Sequence, residues 1–195
     1  SDQAKFQAVD SAVSQMTHLT EDLLLLARTE QAPSQAHQPV DLGMILGSLL
    51  QLYTPQAEEK RIALKADVSE HLYLLGDPVQ LSRLFSNLIE NALKYTPEEG
   101  MVEIQIGKEG NQFRVSVRDT GIGIEPENIK HVFDRFWRAA KDRNYRETSS
   151  GLGLAIAQVI AKHHGGLITV TSKVGIGSCF TVRLPIGTRS STIKL

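Results

Sequence analysis

Cysteine and long apolar runs are scarce in this 195-residue chain, and each scarcity excludes a class of protein. The single cysteine, Cys179, has no partner for an internal disulfide and no neighbouring cysteine or histidine at the spacing of a zinc site. No stretch approaches the roughly 20 apolar residues that span a bilayer, and the first residues lack the pattern of a signal peptide. We therefore expect a soluble, cytoplasmic chain that makes no membrane contact.

An excess of charge of either sign is also missing. The 21 Lys and Arg residues nearly balance the 22 Asp and Glu residues, and the formal net charge is -1. This balance provides no long-range field for holding a nucleic acid, so no nucleic-acid partner is expected and any nucleotide must be held by local contacts. The hydrophobic content of 41% is enough for one good core.

Residues 4–30 show the pattern of one long helix. Side chains recur at alternating spacings of three and four, which is typical of a helix-packing seam. The seam positions are Phe6, Val9, Val13, Met16, Thr20, Leu23 and Ala27. Four leucines at 23–26 widen the apolar face, so the helix is predicted to pack on more than one partner helix. The polar, proline-containing stretch 31–35 predicts a linker. The chain is thus divided into a helix with its linker (1–34), a compact domain (35–187) and a polar tail (188–195).

Helical and strand patterns alternate beyond the linker, as is typical of α/β or α+β domains. Helices are predicted at 42–59, 78–95, 129–136 and 152–164, and strands at 61–66, 71–75, 101–107, 112–119, 167–172 and 178–184. Pro78 marks a helix start and Gly165 with Gly166 a helix stop. The segments 101–119 and 167–184 are predicted to be hairpins.

The predicted helix at 78–95 has two distinct faces when its residues are plotted at about 100° each. One face is apolar, and the other carries Asn87, Glu90, Asn91 and Lys94. These four residues could form an ordinary solvated face, since such side chains are common on surfaces. They could also form a nucleotide site, in which the amide oxygens approach Mg²⁺ and phosphate oxygens and the lysine neutralises phosphate charge.

Asp119 ends a predicted strand and begins the run Asp-Thr-Gly-Ile-Gly-Ile. A buried aspartate at this point can accept a hydrogen bond from the exocyclic amine of adenine, where guanine presents a carbonyl oxygen. Gly121 and Gly123 would let the backbone lie against the base and ribose. The alternative is a plain Asp-Thr-Gly turn without a ligand.

A second glycine pair, Gly151 and Gly153, opens a predicted helix. The free N–H groups of its first turn would point at phosphate oxygens, although two glycines at such a junction could also only shape a cap. Between the two glycine runs, residues 138–149 are basic and almost without apolar anchors, which predicts a mobile lid. The aromatic residues at 133, 136 and 137 would pin the near end of this lid or belong to the core.

Taken in order, these segments resemble the sequence boxes of the sensor histidine kinases and their wider ATPase relatives. Residues 87–96 resemble the N box, 119–124 the first glycine box, 133–136 the F box and 151–155 the second glycine box. The resemblance covers residues 39 to 186. It implies a two-layer α+β sandwich of the Bergerat type, with a left-handed βαβ unit, a mixed sheet covered on one face by helices, and the long N-terminal helix in front.

The resemblance also implies a site for ATP and Mg²⁺. In it, Asn91 is the magnesium ligand, Asp119 reads adenine with Thr181 through water, and Tyr95 packs on the nucleotide. Phosphate contacts come from Asn87, Lys94 and Arg138. The two glycine boxes contribute Gly121, Gly123, Ile124, Gly151, Leu152, Gly153 and Leu154.

Residues 23–28 resemble the end of the second helix of the family's dimerisation and phosphotransfer hairpin. The phosphoacceptor histidine of that hairpin precedes an acidic residue and an Arg-Thr-Pro run, and none of the six histidines here has this context. His163 and His164 are interpreted as complementing a helix dipole. The resemblance therefore implies an ATP-dependent protein-histidine kinase that phosphorylates a histidine outside this chain and serves a response regulator. Homodimerisation would use the N-terminal helix, and any membrane anchor would lie in regions outside the chain.

Two other functions stay open from the sequence. A hydrolytic ATPase of the same superfamily would use Glu90 to activate water, and its rapid turnover would be lost in Glu90→Gln. A non-catalytic module would use the apolar seam at 6–27 to dock a partner helix or regulator, and it would keep partner binding without binding ATP.

Overall fold

A computed structural model describes residues 38–68, 72–138 and 150–186, together with six single positions between 13 and 24. Three α-helices, seven strands and one short 3₁₀ helix lie within the three continuous ranges. In chain order they are β1 (Gln38–Asp41), α1 (Leu42–Glu59), β2 (Ala63–Asp67), β3 (Tyr73–Gly76), α2 (Pro78–Tyr95), β4 (Met101–Glu109), β5 (Gln112–Asp119), the 3₁₀ helix (Ile129–His131), α3 (Gly153–His163), β6 (Leu167–Lys173) and β7 (Gly177–Pro185).

Five of the strands form one mixed sheet in the order β2-β4-β5-β7-β6. The β2–β4 pair is parallel and the other three pairs are antiparallel. A parallel pair needs a crossover connection, and here the chain between β2 and β4 supplies α2. The strands β1 and β3 form a separate antiparallel ribbon.

The helices cover one face of the sheet, and the opposite face is mostly polar. On the covered face, cross-strand partners of β5 and β7 are buried together: Val117 with Phe180, Val115 with Val182 and Phe113 with Leu184. Because side chains alternate along a strand, the intervening pairs, Arg118 with Cys179 and Ser116 with Thr181, belong to the other face. The predicted two-layer α+β arrangement with a mixed sheet is confirmed.

Helix α2 is the central helix of the covering layer. It packs on α1 and α3 and on the strands β4 and β5. Its N-cap residue, Asp77, accepts hydrogen bonds from the backbone of Val79 (2.8 Å) and Gln80 (3.1 Å), and Pro78 occupies the first helical turn. The predicted bounds of α1 and α2 are confirmed residue for residue, since caps and amphipathic periodicity agree there.

One prediction about local structure was wrong, and one strand was missed. Residues 129–136 do not form an α-helix: a 3₁₀ turn (Ile129–His131) is followed by further tight turns, and Phe136 has a positive φ of 60°. The chain turns there because the Phe136 N–H donates to Gly151 O at 3.0 Å. The strand β1 was not predicted, because its register is set by pairing with β3, in which Val40 lies opposite Leu74.

The six single positions near the N terminus are helical and exposed, including Val13, Met16, Leu23 and Leu24. The seam positions Phe6, Val9 and Ala27, residues 139–149 of the predicted lid, the tail at 188–195 and both proposed domain boundaries lie outside the described residues. Within the described part of the chain, no helix combines the length and the apolar character needed to cross a bilayer.

His164 does more than complement a helix dipole. It is buried at the end of α3, with Nδ1 2.9 Å from Ile160 O, and its Nε2 accepts a hydrogen bond of 3.0 Å from the backbone N–H of Asp77. Since Nε2 is the acceptor, Nδ1 carries the proton and donates to the carbonyl. The ring therefore joins the C-terminal end of α3 to the N-cap of α2.

Replacing His164 by phenylalanine should lower the free energy of unfolding by about 1–3 kcal/mol, because the partly buried Asp77 N–H loses its acceptor while an aromatic ring still fills the position. Urea denaturation measures the change. His131→Phe is the matched control, since the His131 side chain is 45% exposed. Equal losses in the two variants would contradict the role assigned to His164.

Candidate functional site

Asn87 lies where α2 meets the start of α3. Its side chain is 6% exposed, and its Nδ2 is buried without a hydrogen-bond partner among the described residues. A Cβ added to Gly153 would lie 3.5 Å from Asn87 Oδ1, so the first turn of α3 packs directly on this amide. The structure thus brings the predicted N box and second glycine box together, with an unsatisfied amide donor between them.

Asn91, Lys94 and Tyr95 continue the same side of α2. All three are partly buried, and Asn91 follows Asn87 by about one helical turn. Lys94 Nζ lies 5.0 Å from the centroid of the Tyr95 ring, within the range of a cation–π contact. This arrangement holds the ammonium group near the end of the helix.

The first glycine box adjoins the C-terminal end of α2. The backbone N–H of Ile122 donates to Tyr95 O at 3.2 Å. A Cβ on Gly121 would lie only 2.5 Å from the same oxygen, so glycine is required there for close approach of the two backbones. The second predicted motif therefore opens onto the same region as the first.

Asp119 is buried beneath this turn at the end of β5. Its Oδ1 accepts hydrogen bonds from the backbone N–H groups of Gly121 (2.8 Å) and Ser178 (3.1 Å). Burial raises the pKa of the carboxyl above its ordinary value of 3.8, while the two backbone hydrogen bonds oppose that change. No hydrogen bond from the described residues occupies Oδ2. This oxygen is thus an acceptor held in a fixed direction.

The turn between β6 and β7 closes the other side of the first glycine box. Ile124 N–H donates to Ser172 Oγ at 2.8 Å, and Gly175 N–H donates to Ile122 O at 2.8 Å. Ser172 Oγ also lies 3.0 Å from Ser178 Oγ. Sequence reasoning missed both serines as members of the site. The glycines that precede Ser178, at 175 and 177, are the signal that could have indicated the tight turn beside it.

Thr181 does not reach Asp119, which corrects the prediction that it reads adenine through water. Its Oγ1 lies 3.9 Å from Cys179 Sγ, and it pairs with Ser116, so it belongs to the polar face of the sheet. Asp119 shares the covered face with Val117. The β7 residue beside the Asp119 carboxylate is Ser178, which lies three positions before Thr181. The prediction failed because strand alternation puts positions 178 and 181 on opposite faces.

The second glycine box begins beside the F box. Gly151 has a positive φ of 71°, and a Cβ there would lie 3.0 Å from Phe136 Cα. Leu152 is fully buried and Leu154 is partly buried, and no side chain caps the start of α3. The N–H groups of this first turn are therefore free of side-chain capping.

Arg138 is exposed at the end of its described segment, and its contact with phosphate stays a prediction.

Glu90 lies on a different flank of α2. Its Oε1 accepts hydrogen bonds from the Tyr53 hydroxyl of α1 and from Ser86 Oγ, the latter at 3.2 Å. The side chain that the ATPase alternative requires as a base is thus drawn toward α1, whereas Asn87 faces α3.

The donor set suits a magnesium ion held chiefly by phosphate. Among the described residues, no group of three or more His, Cys, Asp or Glu side chains is placed to hold a metal. Mg²⁺ is usually bound by one or two protein oxygens together with substrate phosphates and water. The amide oxygen of Asn91, one turn from the buried Asn87, fits such a site.

Residues 76–188 match the family described as histidine kinase-, DNA gyrase B- and HSP90-like ATPases, which is more than half of the chain. The chain belongs to this ATPase family. The matched residues contain α2, both glycine boxes and the strands that carry Asp119 and Ser178.

The chain is similar to several sensor histidine kinases. The sensor histidine kinase RppB of Synechocystis is 41% identical over 173 residues, which are 88% of this chain and 38% of RppB. Full-length ShkA, solved in complex with AMPPNP, superposes with a TM-score of 0.82 at 28% identity, over 98% of this chain and 40% of that one. The histidine kinase ThkA, solved in complex with the response regulator TrrA, shares the fold at 20% identity and a TM-score of 0.73, over 93% of this chain and 51% of that one. The chain therefore spans about two fifths of the length of the first two proteins.

Proposed function

We propose that this chain binds ATP with Mg²⁺ between α2, the first glycine box and the start of α3, and transfers the γ-phosphoryl group to a histidine outside this chain. The observation that carries the proposal is the convergence of three separate segments. Gly153 packs on Asn87, Ile122 binds Tyr95 O, and Asp119 lies beneath the same turn. The family match and the sensor kinase relatives support it.

Each part of the site has a proposed role. Asp119 accepts the adenine amine through Oδ2, and Tyr95 packs on the nucleotide. Asn91 is the magnesium ligand, while Asn87, Lys94 and Arg138 contact phosphates. The backbones of the two glycine boxes complete the cleft, through Gly121, Gly123, Ile124, Gly151, Leu152, Gly153 and Leu154.

The chemistry asked of this chain is positioning and charge neutralisation. Phosphoryl transfer needs little covalent participation by the protein, so aligning the acceptor with the γ-phosphorus and stabilising charge on the phosphate oxygens supply most of the rate. The buried Nδ2 of Asn87 and the N–H groups at the start of α3 are preorganised donors for that charge. Asn91 would hold Mg²⁺, which would neutralise negative charge on the phosphate groups when bound.

A magnesium-dependent ATP titration tests the binding step. Asn91→Ala should weaken binding of ATP in the presence of Mg²⁺ by roughly tenfold or more, because a metal ligand is lost, and should change binding in EDTA little. Calorimetry measures both constants. Asn111→Ala, in the exposed turn between β4 and β5, is the control. A wild-type chain that does not bind ATP would refute the proposal.

A second assay separates the kinase from the ATPase. The chain, ATP and Mg²⁺ are mixed with a dimerisation hairpin that carries a phosphoacceptor histidine, and acid-labile phosphate on the hairpin is followed against free phosphate. The proposal expects transfer to the hairpin to exceed hydrolysis. Rapid hydrolysis that disappears in Glu90→Gln, without labelled hairpin, would establish the ATPase instead.

The same proposal extends to the rest of the parent protein. We assign residues 1–34 to the end of the dimerisation hairpin plus linker, 35–187 to the catalytic domain and 188–195 to a tail. The exposed apolar positions Val13, Met16, Leu23 and Leu24 support helix–helix pairing in a homodimer. A response regulator is the proposed partner that receives the phosphoryl group from that histidine, as the ThkA complex with TrrA suggests, and the cytoplasm is the proposed location.

A further inference from the structure

The covered face of the β6–β7 pair ends in two serines rather than in apolar side chains. Cross-strand partners along this face change from apolar to polar: Ile168 with Val182, Val170 with Phe180, and Ser172 with Ser178. The two serine hydroxyl oxygens lie 3.0 Å apart, and both side chains are at least partly buried. A hydroxyl group withdrawn from water needs hydrogen-bond partners in the protein, because leaving it without them costs free energy.

The hydroxyl group of Ser172 has three partners, and the donor in each hydrogen bond follows from counting. Ser172 Oγ accepts the N–H of Ile124 at 2.8 Å and donates to Gly177 O at 3.0 Å. A hydroxyl group has one proton and two lone pairs, so one lone pair remains for Ser178, whose hydroxyl must then be the donor. The hydrogen-bonding capacity of the Ser172 hydroxyl is thereby filled.

These partners connect Ser172 to both ends of the first glycine box, residues 119–124. Ile124 is the last residue of the box. Gly177 packs against the first residue, since a Cβ added to Gly177 would overlap Asp119 O. Ser178, the next residue of β7, donates its backbone N–H to Asp119 Oδ1 at 3.1 Å. A single side chain of β6 therefore holds the far end of the box directly and the carboxylate end through β7.

The far end of the box depends on this side chain more than its middle does. A backbone hydrogen bond from Ile122 N–H to Tyr95 O holds the middle of the box against α2. The N–H of Ile124 has the Ser172 hydroxyl as its acceptor instead. Gly123 lies between the two points, and a glycine restricts the backbone least of all residues. Removing the hydroxyl would therefore let Ile124 move relative to the rest of the box.

We propose that Ser172 is a positioning residue for ATP, whose hydroxyl group sets the span of the first glycine box and thereby the placement of Asp119 and Ile124 around the base. The inference rests on the proposed function and adds a residue of β6 to it. The three hydrogen bonds of Ser172 go to the glycine box and β7, at the base end of the proposed site. Phosphate binding is assigned to α2 and the start of α3. Binding of ATP should therefore depend on Ser172, and the transfer step should not.

Phosphorylation of the supplied hairpin, measured over a range of ATP concentrations, separates positioning from a purely structural role. Ser172→Ala should raise the KM for ATP by roughly tenfold, because Ile124 N–H and Gly177 O lose their partner, and should keep kcat within about twofold of wild type. A purely structural loss would instead lower the fraction of folded chain, which reduces the apparent kcat and leaves KM unchanged. Ser172→Thr keeps the hydroxyl and suits a strand, so its KM should stay within about threefold of wild type. Thr171→Val, which removes an exposed hydroxyl from the same strand, is the matched control.

The outcomes are distinct. A raised KM in Ser172→Ala that Ser172→Thr restores, at unchanged kcat, supports the positioning role. An unchanged KM overturns it, whether or not kcat falls, and so does a rise that Ser172→Thr fails to restore. If Ser172→Ala does not fold, Ser172→Cys keeps a side chain of similar shape with a much weaker donor and acceptor, and its KM must rise in the same direction. A wild-type chain that neither binds ATP nor phosphorylates the hairpin refutes the proposed function itself, which is known before any variant is made.

Discussion

Replacing Asp119 by asparagine should weaken ATP binding by about a hundredfold, because two hydrogen-bond donors would then face each other in a buried site. Oδ1 of Asp119 already accepts the N–H groups of Gly121 and Ser178. An asparagine must keep its carbonyl oxygen at that position, since turning the amide would set its NH₂ against both backbone donors. The NH₂ group therefore replaces Oδ2, where the adenine amine needs an acceptor.

The same substitution should not destabilise the unliganded chain at neutral pH. Burial raises the pKa of Asp119 in the folded state, so the folded chain binds this proton more tightly than the unfolded chain does. The stability that this group contributes is fully present below its unfolded pKa and is lost as the pH rises through its folded pKa. At pH 7 the wild type consequently carries the cost of a buried carboxylate that asparagine lacks.

Two measurements separate the effects. Calorimetry with ATP and GTP should show a large loss for ATP in Asp119→Asn and a smaller ATP-over-GTP preference, since the new amide can donate to the guanine carbonyl. Urea denaturation at several pH values should show a variant at least as stable as wild type at pH 7, with the difference shrinking toward acid pH. Asp67→Asn, at the exposed end of β2, is the control. Unchanged ATP affinity in Asp119→Asn would remove Asp119 from the adenine site.

Local signals in the sequence were sufficient to predict the helix and the two glycine boxes that build the site. Helix α2 is amphipathic, begins with Asp77 and Pro78 and ends near Tyr95, so its bounds and its polar face followed from periodicity and capping alone. The two glycine boxes were recognisable because their glycines lie where a side chain would collide with backbone, as at Gly121. Their common order along the chain then indicated the ATPase family.

Contacts between distant segments could not be read from local signals. The sequence did not identify Ser178 as the β7 residue beside Asp119, because the register of β7 against β5 decides which residues of the two strands lie side by side. The turns at 132–137 follow from the link between Phe136 and Gly151, fifteen positions away. The bonds from Tyr53 to Glu90 and from His164 to Asp77 likewise depend on tertiary packing of helices.

Replacing Gly123 by alanine should lower the free energy of unfolding by about 3 kcal/mol or more and abolish ATP binding. Gly123 has a φ of 72°, and a Cβ there would lie 2.2 Å from Lys173 O and 2.8 Å from Val174 Cα. These neighbours are backbone atoms, so the turn between β6 and β7 would have to move away from the first glycine box. That movement would withdraw the Ser178 N–H from Asp119 and open the base of the cleft.

Gly175→Ala isolates the steric part of this effect. Gly175 lies in the opposing turn with a nearly identical φ of 73°, yet an added Cβ would meet no heavy atom within 4 Å. Gly175→Ala should lower the free energy of unfolding only by the cost of placing alanine in a left-handed backbone conformation, roughly 1–2 kcal/mol. ATP affinity should be largely retained. Urea denaturation and calorimetry on both variants give the comparison. If the two alanines cost the same stability and affinity, the close approach of the glycine box to the β6–β7 turn contributes nothing to the site, and the cleft must be closed in some other way.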